Sequence, residues 1–471
     1  MKSFFRRAFC VAVVFCFVSS GTIFAQTTST NLPDWMTRPL SMLGALNLAL
    51  QQNATILKAK DDLQASYGIV VQTRAIALPQ LTATGQYKYT QPSAIETIPF
   101  PGFENANQGW NIGFQLVQSI YDGGKLTAAI RAARLTKQQA LAEYQSTLQD
   151  TLLDTRTAYY DVLLAEEQIT VHEASVKLLQ EEVDDQVRRY KAGTVPHFNV
   201  LRAEVQLANE KPLLIQAQNN YRIAKNNLSN LLGYNLPREV LEDVPMNLSD
   251  VLDSAPYQVN LPSAIAQALE NRTELLALRK TEDLEQLNII NARAGYKPTF
   301  QLFAGYNVFS AQYSVQPNPP EVPGTQPLSL TWVFQGFDAG GQVSWDIFDG
   351  MLTRGKVMQA KANYNKSRND YADEARQIEL EVRTAYSDFV EATEVLDSQK
   401  TVTAEAEEAL REARARFDAG TGTQLDVLDA ETSLTQARTT NAQALHDYDT
   451  ARAKLERAIG EDMVQTAAAT P

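Results

Sequence analysis

The spacing of apolar residues changes repeatedly along this chain, and each change marks a new element. From Leu40 to Ile76 apolar positions recur at helical spacing. Pro79 ends that pattern and the period drops to two: Leu81, Ala83, Gly85, Tyr87 and Tyr89 alternate with Thr82, Thr84, Gln86, Lys88 and Thr90. After a Pro/Gly/Asn stretch from Pro92 to Gly109 the alternation resumes. Trp110, Ile112, Phe114 and Leu116 face one way, and Asn111, Gly113 and Gln115 the other. The hairpin 79–121 thus has an apolar, aromatic face and a face of small and amide residues, as strands have with lipid outside and water inside. From Gly123 to about Tyr190 the helical pattern runs without proline, through Leu141, Tyr144, Leu148, Leu152, Tyr159 and Val162 to Val176, Leu179, Val183 and Val187. At about 1.5 Å per residue such a helix spans roughly 100 Å, more than a globular core needs, so coiled-coil-like packing is expected. A return helix runs to Leu232, with Lys211 and Pro212 expected to interrupt or kink it.

The programme then repeats. Helix is expected from Pro262 to Ala294 and paired strands over 298–348, with Phe300, Leu302, Ala304, Tyr306 and Val308 facing Phe337, Ala339, Gly341, Val343, Trp345 and Ile347. Long helix follows from Leu352 to Phe417, and a last helix from Thr423 to Ile459. The segment RYKAGTVPHFNVLRAE at Arg189 to Glu204 matches RFDAGTGTQLDVLDAE at Arg416 to Glu431 in eight of sixteen positions, at an offset of 227. Gly193 and Gly420 suit a helix C-terminus, while Pro196 and Thr423 suit the start of the next helix. Each copy therefore reads as a tight turn (191–196 and 418–423) between two helices. At the same offset RTAY at Arg156 to Tyr159 falls on Arg383 to Tyr386, and Gly233 falls on Gly460. Earlier the offset is 219, which sets Pro79 on Pro298 and Tyr87 on Tyr306. The proline-rich stretch between Tyr306 and Gly340 absorbs the difference. The chain reads as two tandem homologous halves, 26–233 and 261–460, joined by a connector at 234–260 and followed by a disordered tail at 461–471.

Residues 1–25 resemble a secretory signal: Lys2, Arg6 and Arg7, then an apolar run from Ala8 to Val18, then a cleavage site after Ala25. Both cysteines, Cys10 and Cys16, lie inside it, so the remainder carries no thiol; Phe15 before Cys16 argues against a lipid-modified N-terminus. Removing this segment leaves 39 basic residues against 55 acidic ones, a net charge near −16, which argues against a nucleic-acid surface. No later segment has 18 consecutive apolar residues. A membrane role must therefore use strands. Four strands per chain cannot close a barrel, and an open edge in lipid leaves backbone groups unpaired at several kcal/mol each. Two chains would give eight strands and a filled lumen, three would give twelve and a channel. The small and polar residues Gly85, Gly113, Gly305, Gln86 and Gln115 favour the open form, hence a homotrimer. The fold class expected is a mixed α and β membrane protein, a long helical barrel joined to a transmembrane β-barrel.

The duplicated halves, the paired strands and the helix-turn-helix with DVLDAE at Asp426 to Glu431 resemble the TolC family of outer-membrane efflux factors. The resemblance covers nearly the whole chain beyond the leader. It implies a trimeric pore in the outer membrane with a helical tunnel in the periplasm, serving an inner-membrane transporter and a periplasmic adaptor that dock at the tunnel's tip. It also implies that Asp426 and Asp429 line a closed periplasmic aperture. The family's type member locks that aperture with an Arg and a Tyr near the second turn and an Asp after the first. The matching residues here are Gly422, Phe417 and Asn199, so these polar locks are absent and the gate must be held differently or more loosely.

Each candidate has a plainer explanation beside it. Asp426 and Asp429 stand one turn apart, and three copies would place six carboxylates at a constriction. Thr423 and Asp426 also fit a helix capping box, which explains Asp426 well and Asp429 poorly. The turns at Gly193, Thr194, Gly420, Thr421 and Gly422 are candidate adaptor-docking sites, although turn geometry alone accounts for the glycines. Tyr87, Tyr89, Trp110, Phe114, Tyr306, Trp332 and Trp345 are candidate membrane-interface aromatics, or else ordinary strand packing. His172, His197 and His446 lie far apart, and no catalytic motif, cofactor loop or metal-ligand cluster is present in the sequence. An enzyme, a cofactor and a metal are therefore not expected. Two functions remain open at this point: a passive export duct driven by a partner pump, and a structural or adhesive envelope protein whose strands form a non-conducting anchor.

Overall fold

The computed structural model describes residues 39–90, 103–104, 108–234, 244–315 and 328–461. The expected leader, the ends of both strand hairpins, part of the connector and nearly all of the tail lie outside the described residues. Element order is α1 (Met42–Gln52), α2 (Ala54–Ala75), β1 (Gln80–Tyr89), β2 (Phe103–Glu104), β3 (Gln108–Asp122), α3 (Lys125–Lys191) and α4 (His197–Leu231). It continues with α5 (Leu261–Asn271), α6 (Thr273–Arg293), a 3₁₀ turn, β4 (Thr299–Val315), β5 (Leu328–Ser344), α7 (Leu352–Asp418) and α8 (Gln424–Ile459).

The two long helices, α3 and α7, are 67 residues each. Neither contains proline, and both begin at the sheet, so their far ends lie together on the opposite side of the molecule. α4 packs on α3, α3 on α8, and α8 on α7 in the part remote from the sheet. Nearer the sheet the order is α2, α3, α6, α7. The wall therefore has two flanks, one formed by α2 and α4 and the other by α7.

The sequence pattern suggested single helices over Leu40 to Ile76 and Pro262 to Ala294, and the structure breaks both. Asn53 and Arg272 each adopt an extended conformation (ψ 127° and 122°) between two helices. The breaks are equivalent at the repeat offset of 219. The cause is end-to-end stacking. Asn53 caps α2 through Oδ1, which accepts from the Thr55 and Ile56 N–H groups, and its Nδ2 donates to the Leu231 carbonyl at the end of α4, 2.7 Å away. A Cβ on Gly233 would sit 2.2 Å from the Gln52 carbonyl oxygen, so only glycine lets the end of α4 abut the break. Arg272 plays the corresponding part against the end of α8, reaching Glu274, Glu381 and the Ala458 carbonyl. Thus α4 and α2 together run alongside α3, as α8 and α6 run alongside α7. Pro212, expected to interrupt the return helix, lies within a continuous α4.

The strands form one antiparallel sheet ordered β1-β3-β4-β5, with the short β2 pairing the end of β4. β2 falls in a stretch that the alternation treated as loop. Register places Ala83 opposite Phe114, Phe114 opposite Tyr306, and Tyr306 opposite Phe337, a row of apolar side chains on one face, aromatic from Phe114 onward. Tyr87 pairs with Trp110 on that face. The other face carries Thr84, Asn111, Gln115, Asn307 and Asp338. There Asn307 donates to Asp338 at 3.3 Å, and a Cβ on Gly113 would fall 2.3 Å from the Asn307 side-chain oxygen. Gly85, expected on the polar face, pairs with Ile112 and so lies on the apolar one.

Where the halves meet, the connector crosses the wall. Leu40 bridges Leu248, Tyr159 donates to the Leu40 carbonyl at 2.7 Å, and Tyr448 donates to the Ala255 carbonyl at 2.7 Å. Beside these contacts Arg156 of α3 pairs with Glu456 of α8 at 2.5 Å, both side chains almost fully buried, and Arg452 takes the second Glu456 oxygen at 2.8 Å. Asp449 is 6% exposed and accepts the Asp253 N–H at 3.3 Å. Burial pushes its carboxyl up to about 7, against the pull of that N–H and of Arg156 and Arg452.

Two outcomes follow for thermal unfolding. Arg156→Met removes one of the two guanidinium partners of the buried Glu456 carboxylate, leaving Arg452, and is expected to cost about 3 kcal/mol, part of it recovered when Glu456→Leu is added. Asp449 titrates higher in the folded chain than in the unfolded one, so its ionisation opposes folding above the ordinary carboxylate range. Asp449→Asn is therefore expected to stabilise by on the order of 4 kcal/mol above pH about 7 and to change nothing below pH about 4.

Candidate functional site at the hairpin tips

The ends of α3 and α7 remote from the sheet carry the two repeated turns, and both close in the same way. Gly193 and Gly420 take left-handed conformations, with φ of 75° and 74°. Thr194 donates from its backbone N–H and its hydroxyl to the Arg189 carbonyl (3.0 and 2.8 Å). Thr421 does the same to the Arg416 carbonyl (2.9 and 3.1 Å), and the Gly422 N–H joins it at 3.0 Å. Both threonine hydroxyls are thus used within the turns. What the turns leave free is an exposed surface of backbone and small residues, flanked by the charged Lys191 and Asp418.

α8 starts at a capping box. The Asp426 N–H donates to Thr423 Oγ1 at 3.3 Å, and Thr423 N–H donates to Asp426 Oδ2 at 2.9 Å. These hydrogen bonds hold the Asp426 carboxyl below the usual range. Asp426 is therefore both cap and exposed anion. Asp429 is exposed one turn on and takes no part in the box. The opposite face of α8 is buried: Val427, Leu428, Glu431 and Leu434 are each at most 5% exposed. The two carboxylates hence stand on the free side of the helix. Asn199 reaches this region through its backbone, whose carbonyl accepts from Gln424 Nε2 at 3.0 Å.

Beside Phe417 an ion pair joins the ends of the two long helices. Arg189, at the end of α3, donates to Asp418 at 2.9 Å, at the end of α7, and lies over the Phe417 ring with 4.6 Å to its centroid. Asp185, one turn before Arg189, holds the guanidinium in place at 2.5 Å. The hydrogen bonds to Asp185 and Asp418 raise the Arg189 pKa, outweighing the opposite effect of desolvation. The contact joins the first helical hairpin to the second. Sequence reasoning missed it, since Asp418 falls on Lys191 in the repeat alignment and so carries no repeat signal.

The aromatic candidates divide. Tyr87, Tyr89, Trp110, Phe114 and Tyr306 share one face of the sheet by register. Trp332 pairs with Ala311 and lies an odd number of residues from Phe337, so it faces the other way, where it stacks on Phe334, itself stacked on Phe309. Trp345 lies just beyond the end of β5, with its indole N–H on the Tyr296 carbonyl at 3.3 Å. The histidines have local partners: His172 meets Glu210 at 2.8 Å, and His446 meets Asp161 and Asp447 at 2.8 and 3.0 Å. No helix among the described residues is long and apolar enough to cross a membrane.

Comparison with known proteins agrees with this architecture. The family model for outer membrane efflux protein matches residues 45–234 and 264–461. Outer membrane protein TolC of Escherichia coli (strain K12) is 26% identical over 416 residues, covering 87% of this chain and 80% of that one. The cobalt-zinc-cadmium resistance protein CzcC of Cupriavidus metallidurans is 25% identical over 464 residues, covering 97% and 100%. Among solved structures, the Campylobacter jejuni CmeC outer membrane channel superposes with a TM-score of 0.72 at 17% identity, over 90% of this chain and 88% of that one, a likeness of fold. A duplicated pattern of strand pair, long helix and tight turn, matched in both halves by one family model, places this chain in the TolC family of outer membrane efflux proteins.

Proposed function

We propose that this protein is a passive duct of the outer membrane, through which efflux or secretion proceeds from an inner-membrane pump across the periplasm. The carrying observation is that sheet and helical wall are unfinished on the same two sides. β1 and β5 each pair along one edge only among the described residues, and α2 with α4 and α7 end the wall. α4 exposes Phe198, Leu201, Val205 and Ile215. A homotrimer closes both at once: twelve strands leave a channel, and the helices continue it as a tunnel. In that assembly Tyr87, Tyr89, Trp110, Phe114 and Tyr306 face lipid on the outer side of the barrel, whose band is flanked by aromatic girdles.

The tips form the periplasmic aperture. Asp426 and Asp429 from three chains line it and favour cations over anions. Arg189 and Asp418 hold the second hairpin against the first, and the aperture widens when that contact parts. The turns at Gly193, Thr194, Gly420, Thr421 and Gly422 offer the docking surface for a periplasmic adaptor.

Purified protein in a planar bilayer is expected to conduct ions, with cation preference reduced in Asp426→Asn with Asp429→Asn; a sealed barrel would favour the anchoring role instead. An exposed ion pair contributes up to about 1 kcal/mol, or about fivefold per chain. Arg189→Ala and Asp418→Ala are therefore each expected to raise open probability by up to that factor, with the double variant little different from either single one.

A further inference from the structure

The seam between the two hairpins, just behind the aperture, is short of hydrogen-bond donors. Gln186 of α3 is fully buried, and Gln424 and Glu431 of α8 are 5% and 4% exposed. Each leaves one buried oxygen without a donor: Gln186 Oε1, Gln424 Oε1 and Glu431 Oε2. The amide groups of Gln186 and Gln424 both turn toward Glu182 Oε1, at 2.8 and 3.5 Å. Between these polar sites Leu428 packs on Leu179 and Val183, and beyond Glu431 Thr435 donates to Ser175 at 3.1 Å. Gln424 and Glu431 are two turns apart on one face, bracketing Asp426 and Asp429 on the other.

We propose that Gln424 and Glu431 are positioning residues of the aperture: they seat the start of α8 against α3 and α4, and a proton on Glu431 tightens that seat. This rests on the reading of the tips as an aperture. Gln424 ties α8 to α4 through the Asn199 carbonyl at 3.0 Å. Glu431 faces Arg414 of α7 at 2.8 Å, and Glu182 and Glu181 of α3. The Arg414 contact lies within the second hairpin, so losing its charge does not release the seam. Across the seam Glu431 meets only like charge. Burial and those two glutamates raise its pKa, although Arg414 pulls the other way. When ionised, Glu431 repels α3 and adds an orphaned acceptor. When protonated, it stops repelling and its hydroxyl becomes one more donor in a seam with surplus acceptors. Its repeat equivalent, Glu204, is exposed, so this property belongs to the aperture helix alone.

The test uses the full protein with Asp426→Asn and Asp429→Asn, which removes the aperture's own carboxylates. Two readouts are followed: bilayer conductance, and the pulsed-EPR distance within a chain between labels at Gln180→Cys and Ser433→Cys. On lowering the pH from about 8 to about 5, conductance should fall and the distance shorten, by about threefold in the equilibrium per half unit of pKa difference between the two states. Glu431→Gln should stay in the low-conductance, short-distance state throughout. Gln424→Met should raise conductance at every pH and keep the pH step. A Glu431→Gln variant that titrates like its parent in both readouts overturns the proposal. Parent protein that conducts at no pH overturns the duct reading instead, and the distance measurement then decides the role of Glu431.

Discussion

Among the described residues β1 and β5 each leave an outer edge unpaired, and the rest of the account depends on that constraint. A backbone group without a partner in hydrocarbon costs several kcal/mol, and water is not there to relieve it. The helices are incomplete on matching sides. β1 follows directly from α2, at one flank, and β5 leads directly into α7, at the other. A partner strand that closes the sheet therefore brings a partner helix with it. On the proposed reading one association completes both layers, so that a barrel and a tunnel come from the same modest chain.

The long helices transmit that arrangement without a joint. α3 and α7 run from the sheet to the tips, while their neighbours are assembled from pieces that meet at Asn53 and Arg272. The region of these joints is strongly bonded: a buried Arg156–Glu456 pair, Arg457 on Asp150 and Glu274 at 2.7 and 2.6 Å, and a connector tied to both halves. Glu274, ringed by arginines, has its carboxyl drawn down to about 2 despite its burial. The tips differ. The hairpins meet there through one partly exposed ion pair, a small apolar cluster around Leu428, a few neutral hydrogen bonds and a seam with orphaned acceptors. On the proposed reading this leaves the opening to the tips, while the bonded middle keeps the rest of the wall in register.

Much of this was legible in the residues. The repeated RxxAGT segment located both turns, and the change from a helical period to an alternating one located the strands. What stayed hidden depended on partners distant in sequence. Asn53 and Arg272 break helices because the ends of α4 and α8 arrive there; Asn53 suits an N-cap, but Arg272 carries no such signal. Pro212 signals one and yet sits within α4. Trp332 looks like its fellow aromatics until register sets it on the opposite face. Arg189 and Asp418 meet across 229 positions, outside the repeat alignment. Glu431 is identical in both repeats and buried in only one, so burial, not identity, marks it. Asp426 and Asp429, by contrast, could be placed from sequence because a local cap fixes the start of α8.

Native mass spectrometry of the protein released from detergent micelles tests the central claim most directly. If each chain is one sector of a closed cylinder, the folded species is a complex of three chains, and separated chains lose their strand structure. A stably folded single chain, with its sheet intact in detergent, would contradict the account.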